Sequence, residues 1–169
     1  LNRTQWLSNV NLQLGGNPLS GLAIETDLNQ NTLDVTVHTG FRTAVSGDYR
    51  VTVYLIEQAV TGVGSGYDQM NYYNNDQSSP FYNMGNPIVG YEHDYVVRKT
   101  LSAELGDQVP TSAMVAGGEF VKSYTVNTSA YSNSNLKVLA FVNKVGNSSI
   151  THEIINAQQV KAGQTKDWD

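Results

Sequence analysis

Apolar and polar residues alternate along much of the chain. In residues 33–39, Leu33, Val35 and Val37 share one face of an extended segment, and polar side chains occupy the other. This pattern is typical of a strand with one buried and one solvated face. No segment carries a sustained apolar stripe at helical spacing, so we expect little or no helix. The alternating segments are residues 10–14, 22–28, 33–39, 49–60, 90–102, 120–126, 136–145 and 150–160.

These segments, separated by Gly, Asn, Ser and Asp, predict an all-β fold: a β-sandwich of about eight strands, jelly-roll-like, with one long Tyr/Asn-rich loop. The Asn-Gln-Asn sequence at 29–31 indicates a hairpin. Residues 136–145 and 150–160 are partly apolar on both faces, which predicts central strands. We therefore expect residues 1–163 to form a single domain, followed by a polar tail at 164–169. A chain of this length can bury enough apolar surface without disulfides.

Residues 61–89 interrupt the strand pattern with a long irregular stretch rich in Gly, Asn, Ser, Tyr and Pro. A connection of this length is uncommon and is usually either functional or disordered. Six tyrosines lie in or beside it, and such aromatic content argues against disorder. They are Tyr67, Tyr72, Tyr73, Tyr82, Tyr91 and Tyr95.

The charge pattern excludes several classes of function. No Lys or Arg occurs between Arg50 and Arg98, while five acidic residues in that interval account for the whole net charge of −5. Aromatics interleaved with acids would repel phosphates, so we expect no nucleic acid partner. Thiol catalysis and thiolate metal sites are excluded because the chain has no cysteine. The longest apolar run, residues 138–142, is far shorter than the ~20 residues of a membrane-spanning helix, so none is expected in this chain.

Motifs for catalysis or metal binding are weak, and we predict no catalytic residue, no metal ligand and no cofactor. The three histidines lie on different predicted strands without paired spacing. We expect a structural His93, either hydrogen-bonded within the sheet or packed under the tyrosine-rich loop. Asp94 and Arg98 share a predicted face, which indicates a structural ion pair. Two alternatives stay open. A metal-dependent hydrolase would need His93 or His152 to converge with two acids. Calcium could use the oxygen ligands of Asp68, Asn71, Asn74, Asn75 and Asp76, although their spacing matches no EF-hand.

The mixture of side chains in the loop suits a sugar ligand. Flat aromatic rings stack on the C–H faces of sugars, and amides and carboxylates bond to hydroxyl groups. The alternative is that the rings only anchor the loop to its own sheet. The predicted ligand-binding residues are Tyr67, Asp68, Tyr72, Tyr73, Asn74 and Asp76.

Two stretches of the chain are distinctive: Tyr-Asp-Gln-Met-Asn-Tyr-Tyr-Asn at 67–74 and His-Asp-Tyr-Val-Val-Arg at 93–98. They occur together with residues 21–24, 48–57, 90–92, 135–142 and 155–158. In these stretches the chain resembles the twenty-eight-kilodalton outer-membrane protein family of Bacteroides-group bacteria. The resemblance implies an exported lipoprotein of the cell envelope, associated with the outer membrane through an upstream lipid anchor, whose β-sandwich often follows a thioredoxin-like region.

These observations together predict a non-enzymatic envelope module with a structural or binding role, in which loop 61–89 recognises a glycan or, as the next choice, an envelope protein. The alternative is a scaffold domain that docks to an upstream thioredoxin-like domain or a partner protein. That alternative predicts that the aromatic rings of the loop are buried.

Overall fold

A computed structural model describes residues 3–14, 16–148 and 151–168. It is an all-β sandwich of two antiparallel sheets, which confirms the predicted fold class. The first sheet has the strand order β6-β2-β1-β9, and the second has the order β4-β3-β7-β8, with β5 also paired to β3. The strands are β1 (Ser20–Asn29), β2 (Thr32–Phe41), β3 (Asp48–Glu57), β4 (Val96–Thr100), β5 (Asp107–Gln108), β6 (Glu119–Asn127), β7 (Leu136–Val145), β8 (Glu153–Lys161) and β9 (Thr165–Lys166). The jelly-roll connectivity stays a prediction.

Alternation along the strands builds the core between the two sheets. Strands β1 and β2 form the predicted hairpin, with Asn29 opposite Thr32 and Gln30 at a φ of 53° in the turn. Leu33, Val35 and Val37 are almost completely buried, as their spacing predicts. They pack in one apolar cluster with inward-facing residues of the second sheet, among them Val51, Val53, Leu55, Val138 and Ala140.

The sequence-based prediction was wrong at the start of the chain. Residues Trp6–Gln13 form a short helix, α1, preceded by a single turn of 3-10 helix at Arg3–Gln5. The apolar spacing of Val10, Leu12 and Leu14 predicts a strand. A strand needs a hydrogen-bonded neighbour, however, and no strand pairs with this segment in the described part of the chain. Trp6, Leu7 and Val10 also fit one helical face. None of the helices in the described residues is long and apolar enough to cross a membrane.

Three further segments differ from the predicted strands. The strand expected over 90–102 is limited to Val96–Thr100, because Tyr95 adopts a φ of 57° that breaks the extended backbone. The last long strand begins at Glu153 and lies at the edge of its sheet rather than at its centre, and the expected start at Ile150 lies outside the described residues. In the polar tail, Thr165–Lys166 pairs with Ile24 and Glu25 of β1 and so extends the first sheet.

A hydrogen bond joins the two sheets at Tyr124. Its hydroxyl donates to the Asp107 carboxylate over 2.7 Å. Burial, together with this bond and the negative charge of Asp107, raises the pKa of Tyr124 well above its ordinary value of 10.0. The folded state therefore holds the protonated phenol more firmly than the unfolded state does.

Replacing Tyr124 with phenylalanine should lower the free energy of unfolding by about 1 kcal/mol at neutral pH, since one hydrogen bond is lost. The raised pKa of Tyr124 in the folded state also makes stability depend on pH. The contribution of Tyr124 to stability is complete below its unfolded pKa of about 10 and is lost as pH rises further. Urea titrations from neutral pH to about pH 11 should show a steeper alkaline loss for the wild type than for Tyr124→Phe. An equal alkaline loss of stability in the two proteins would contradict a raised pKa of Tyr124 in the folded state.

Candidate functional site

Residues 61–89, here called the tyrosine loop, are closed at their base by two backbone pairings. Val60 and His93 exchange two hydrogen bonds, each 2.9 Å long. Further along, Gln69 and Ile88 exchange two more, of 3.1 and 2.8 Å. The His93 ring lies beneath the loop, with Nε2 2.9 Å from the carbonyl oxygen of Tyr67, and it meets the Tyr91 ring edge to face with ring centres 5.0 Å apart. This placement confirms the predicted packing role of His93.

Asn71 forms the interior of the loop, with only 5% of its surface exposed. Its side-chain amide donates to the carbonyl oxygens of Phe81 and Gly85, each over 2.9 Å. Its side-chain oxygen accepts from the backbone N–H of Tyr73, and its own backbone N–H donates to Asn86 Oδ1. One buried side chain therefore ties together segments that lie ten and fourteen residues apart in sequence.

Two further polar side chains fix the outer turns of the loop. Asn74 Oδ1 accepts the backbone N–H of Gly85 over 2.8 Å. Asp76 Oδ1 accepts both the hydroxyl and the backbone N–H of Ser78. The Ser78 hydroxyl, and then its backbone N–H, lower the pKa of Asp76 below its usual range. Asp76 is therefore an exposed carboxylate that stays ionised at any physiological pH.

The folded loop encloses a cleft of about 310 Å³ with mainly apolar walls. Tyr72 is 86% exposed, while Tyr73 and Phe81 are each 36% exposed. The ring centre of Phe81 lies 6.5 Å from that of Tyr91, so these two rings are neighbours in the wall of the cleft. The residues that line the cleft are Gln69, Met70, Asn71, Tyr72, Tyr73, Phe81, Ile88 and Tyr91.

The structure brings only Tyr72 and Tyr73 of the six predicted ligand-binding residues into the cleft. Tyr67 packs over Gly62 instead, and Asp68 accepts the backbone N–H of Gly90 over 3.4 Å. The remaining two, Asn74 and Asp76, hold turns. Whether any of the six contacts a ligand stays a prediction. Sequence reasoning missed the other lining residues, of which Phe81 and Tyr91 belong to the same aromatic concentration.

The acidic side chains near the loop accept hydrogen bonds from backbone N–H groups. Asp94 Oδ1 accepts the backbone N–H of Ala59 over 3.1 Å. The predicted Asp94–Arg98 ion pair was wrong, because Arg98 Nε lies 2.6 Å from the carboxylate of Glu57, with which its strand pairs. Across residues 3–14, 16–148 and 151–168, no three His, Asp or Glu side chains converge to hold a metal ion.

Replacing Gly62 with alanine should displace the Tyr67 ring, because a Cβ atom at this position would overlap it. We expect the free energy of unfolding to fall by about 1 kcal/mol, since the half-exposed ring can swing outward. Gly66→Ala is the matched control, because a Cβ there meets nothing within 4 Å. Thermal denaturation of both variants measures the difference. Equal stability would show that Tyr67 does not rest on Gly62.

Comparison with known proteins places this fold in a family. The family model for outer membrane protein Omp28 matches residues 1–166, which confirms the family resemblance. Among solved structures, HBP35 of Porphyromonas gingivalis superposes with a TM-score of 0.65 at 19% sequence identity, over 92% of this chain. The chain spans 45% of the length of that protein. At this identity the likeness concerns the fold. No curated protein sequence matches.

Proposed function

We propose a function on the premise that this chain belongs to the outer membrane protein Omp28 family, which places it in the cell envelope, in association with the outer membrane. In this proposal it is a non-enzymatic binding module that recognises a glycan through the cleft of the tyrosine loop. The upstream lipid anchor and thioredoxin-like region implied by the family resemblance are part of the same proposal.

The observation that carries this proposal is the exposure of the Tyr72 ring on a loop that is ordered from within. A ring that is 86% exposed contributes little to packing, so the order of the loop rests on Asn71 and its partners instead. A backbone that is already ordered loses little further conformational entropy when the side chains it carries bind a ligand. The hydroxyl groups of Tyr72, Tyr73 and Tyr91, with the Gln69 amide, provide polar groups around a stacking surface.

A glycan array tests this proposal with the wild type and the double variant Tyr72→Ala, Tyr73→Ala. We expect the wild type to bind at least one oligosaccharide and the double variant to lose binding by about tenfold or more. Tyr82→Ala is the matched control, because Tyr82 is 45% exposed in the same loop but does not line the cleft.

The same variants distinguish recognition from packing. The double variant should unfold with nearly the free energy of the wild type. A loss above about 2 kcal/mol, together with no glycan bound by the wild type, would contradict the proposal. That result would favour the scaffold function, in which the rings serve architecture and the exposed apolar face of α1, with Trp6, Leu7 and Val10, contacts another domain.

A further inference from the structure

A second concave surface, here called the Trp168 slot, lies away from the tyrosine loop. Its volume is about 310 Å³, and it is formed by the beginnings of β1 and β6, the end of β2 and the C-terminal tail. Phe41, which lines the slot, packs its ring 5.5 Å from Tyr49 at the start of β3. The tyrosine loop follows the far end of that strand, at Glu57. Strand β3 spans nine residue steps of about 3.3 Å, so its two ends lie roughly 30 Å apart, with the slot near one end and the tyrosine loop near the other.

We propose that the Trp168 slot is a carbohydrate-binding site for a single neutral pyranose residue, independent of the loop cleft. The floor of the slot is bare backbone. Gly21 lies opposite Gly40 in the β1–β2 ladder, and the carbonyl oxygen of Gly118 accepts the backbone N–H of Phe41. Glycine inside a strand allows a ring to approach the backbone closely. At Gly40 the Trp168 ring already does so, because a Cβ there would lie 3.3 Å from it.

The wall of the slot is the Trp168 indole, which is fixed in place while 46% of it remains exposed. The residue before it, Asp167, accepts a hydrogen bond from Gln158 at its carbonyl oxygen and one from the Trp168 backbone N–H at its carboxylate. The His38 ring meets the indole edge to face, with ring centres 6.2 Å apart. The indole therefore offers a rigid stacking surface of the kind that sugar C–H faces contact.

Three polar side chains complete the slot. Arg42 is exposed, and its guanidinium has no hydrogen bond or ion pair within the part of the chain that the structure describes. Glu119 Oε1 lies 2.7 Å from His38 Nδ1, which leaves its second oxygen available as an acceptor. Ser20 also lines the slot, and its buried hydroxyl has no hydrogen-bond partner among the described residues.

This polar set favours a neutral ligand over an anion. Arg42 carries a positive charge and Glu119 a negative one, so the two charges together favour neither an anionic nor a cationic ligand. Both donors and acceptors are present next to an aromatic wall and a flat floor. A sugar hydroxyl both donates and accepts, and one face of a pyranose chair presents C–H groups that can stack on an aromatic ring. A single neutral pyranose therefore suits all the walls of the slot.

Tryptophan fluorescence tests the proposal directly. Trp6 and Trp168 are the two tryptophans of the chain, so the Trp6→Phe variant reports on Trp168 alone. We expect a saturable change in Trp168 emission on titration with the methyl glycosides of glucose, galactose, mannose or N-acetylglucosamine. The expected Kd is about 1 mM, because the ligand is small. Arg42→Gln in that background should weaken binding about fivefold, and Ser20→Ala should weaken it measurably.

Lys99→Gln is the charge-matched control, because Lys99 is exposed and lies outside the slot. Lys99→Gln and Tyr72→Ala should both leave the titration unchanged, which separates this site from the loop cleft. No saturable change with any of the four glycosides would overturn the proposal. So would a response that Arg42→Gln leaves intact, or a response to acetate but to no glycoside, since the latter would indicate an anion site.

Discussion

Replacing Asn71 with alanine is expected to destabilise the protein by about 2–4 kcal/mol and to release the inner turns of the tyrosine loop. The substitution removes both hydrogen bonds donated to Phe81 and Gly85 and the one accepted from Tyr73. Each hydrogen bond typically contributes about 1 kcal/mol, and three are lost together. Chemical denaturation gives the free energy of unfolding, and glycan binding should be lost with the order of the loop.

Asn75→Ala is the control for this prediction. Asn75 is exposed four residues along the same loop, and its side chain has no hydrogen bond within the described ranges. Its replacement should change stability by no more than about 0.5 kcal/mol. If the two asparagine variants were equally stable, Asn71 would not organise the loop.

Replacing Glu57 with alanine is expected to cost about 3 kcal/mol of stability, the loss typical of a buried ion pair that loses one partner. The Glu57 side chain is only 7% exposed and lies 2.6 Å from Arg98 Nε. Its second oxygen accepts the backbone N–H of Ser132 over 2.8 Å. Once the carboxylate is removed, the ring of Tyr131, 5.6 Å away, is the one remaining contact of the half-buried Arg98 guanidinium among the described residues.

Glu92→Ala provides the comparison, because Glu92 is exposed on the connection that leads into β4 and has no ion pair in the described residues. Urea denaturation of both variants measures the difference. A cost for Glu57→Ala no greater than that for Glu92→Ala would show that the pair with Arg98 contributes nothing to the fold.

The sandwich could be predicted from sequence because the alternation of apolar and polar residues can be recognised within a single segment. Leu33, Val35 and Val37 identify a buried face without knowledge of any other strand. The order of strands could not be predicted, because it depends on pairing between distant segments. The prediction of a strand around Val10 was wrong for a related reason. Its apolar spacing fits a strand and a helix, and only the absence of a neighbouring strand in the described residues decides between them.

The candidate site could be located from composition but not resolved into roles. Clustered tyrosines without nearby Lys or Arg identify the loop. The sequence does not reveal that Asn74 and Asp76 direct their oxygens at backbone N–H groups, while Tyr72 stands free of the loop. The cleft-lining members and the structural members of such a cluster share the same chemistry. Only the path of the backbone separates them.

Amide hydrogen exchange of the unliganded protein tests most directly whether the tyrosine loop is a preformed binding surface. The backbone N–H groups of Asn71, Tyr73, Gly85 and Ile88 are all hydrogen-bonded within the loop. We expect their exchange to be slowed at least about a hundredfold relative to an unstructured peptide. Exchange at the unprotected rate for all four would contradict a loop that is ordered before any ligand arrives.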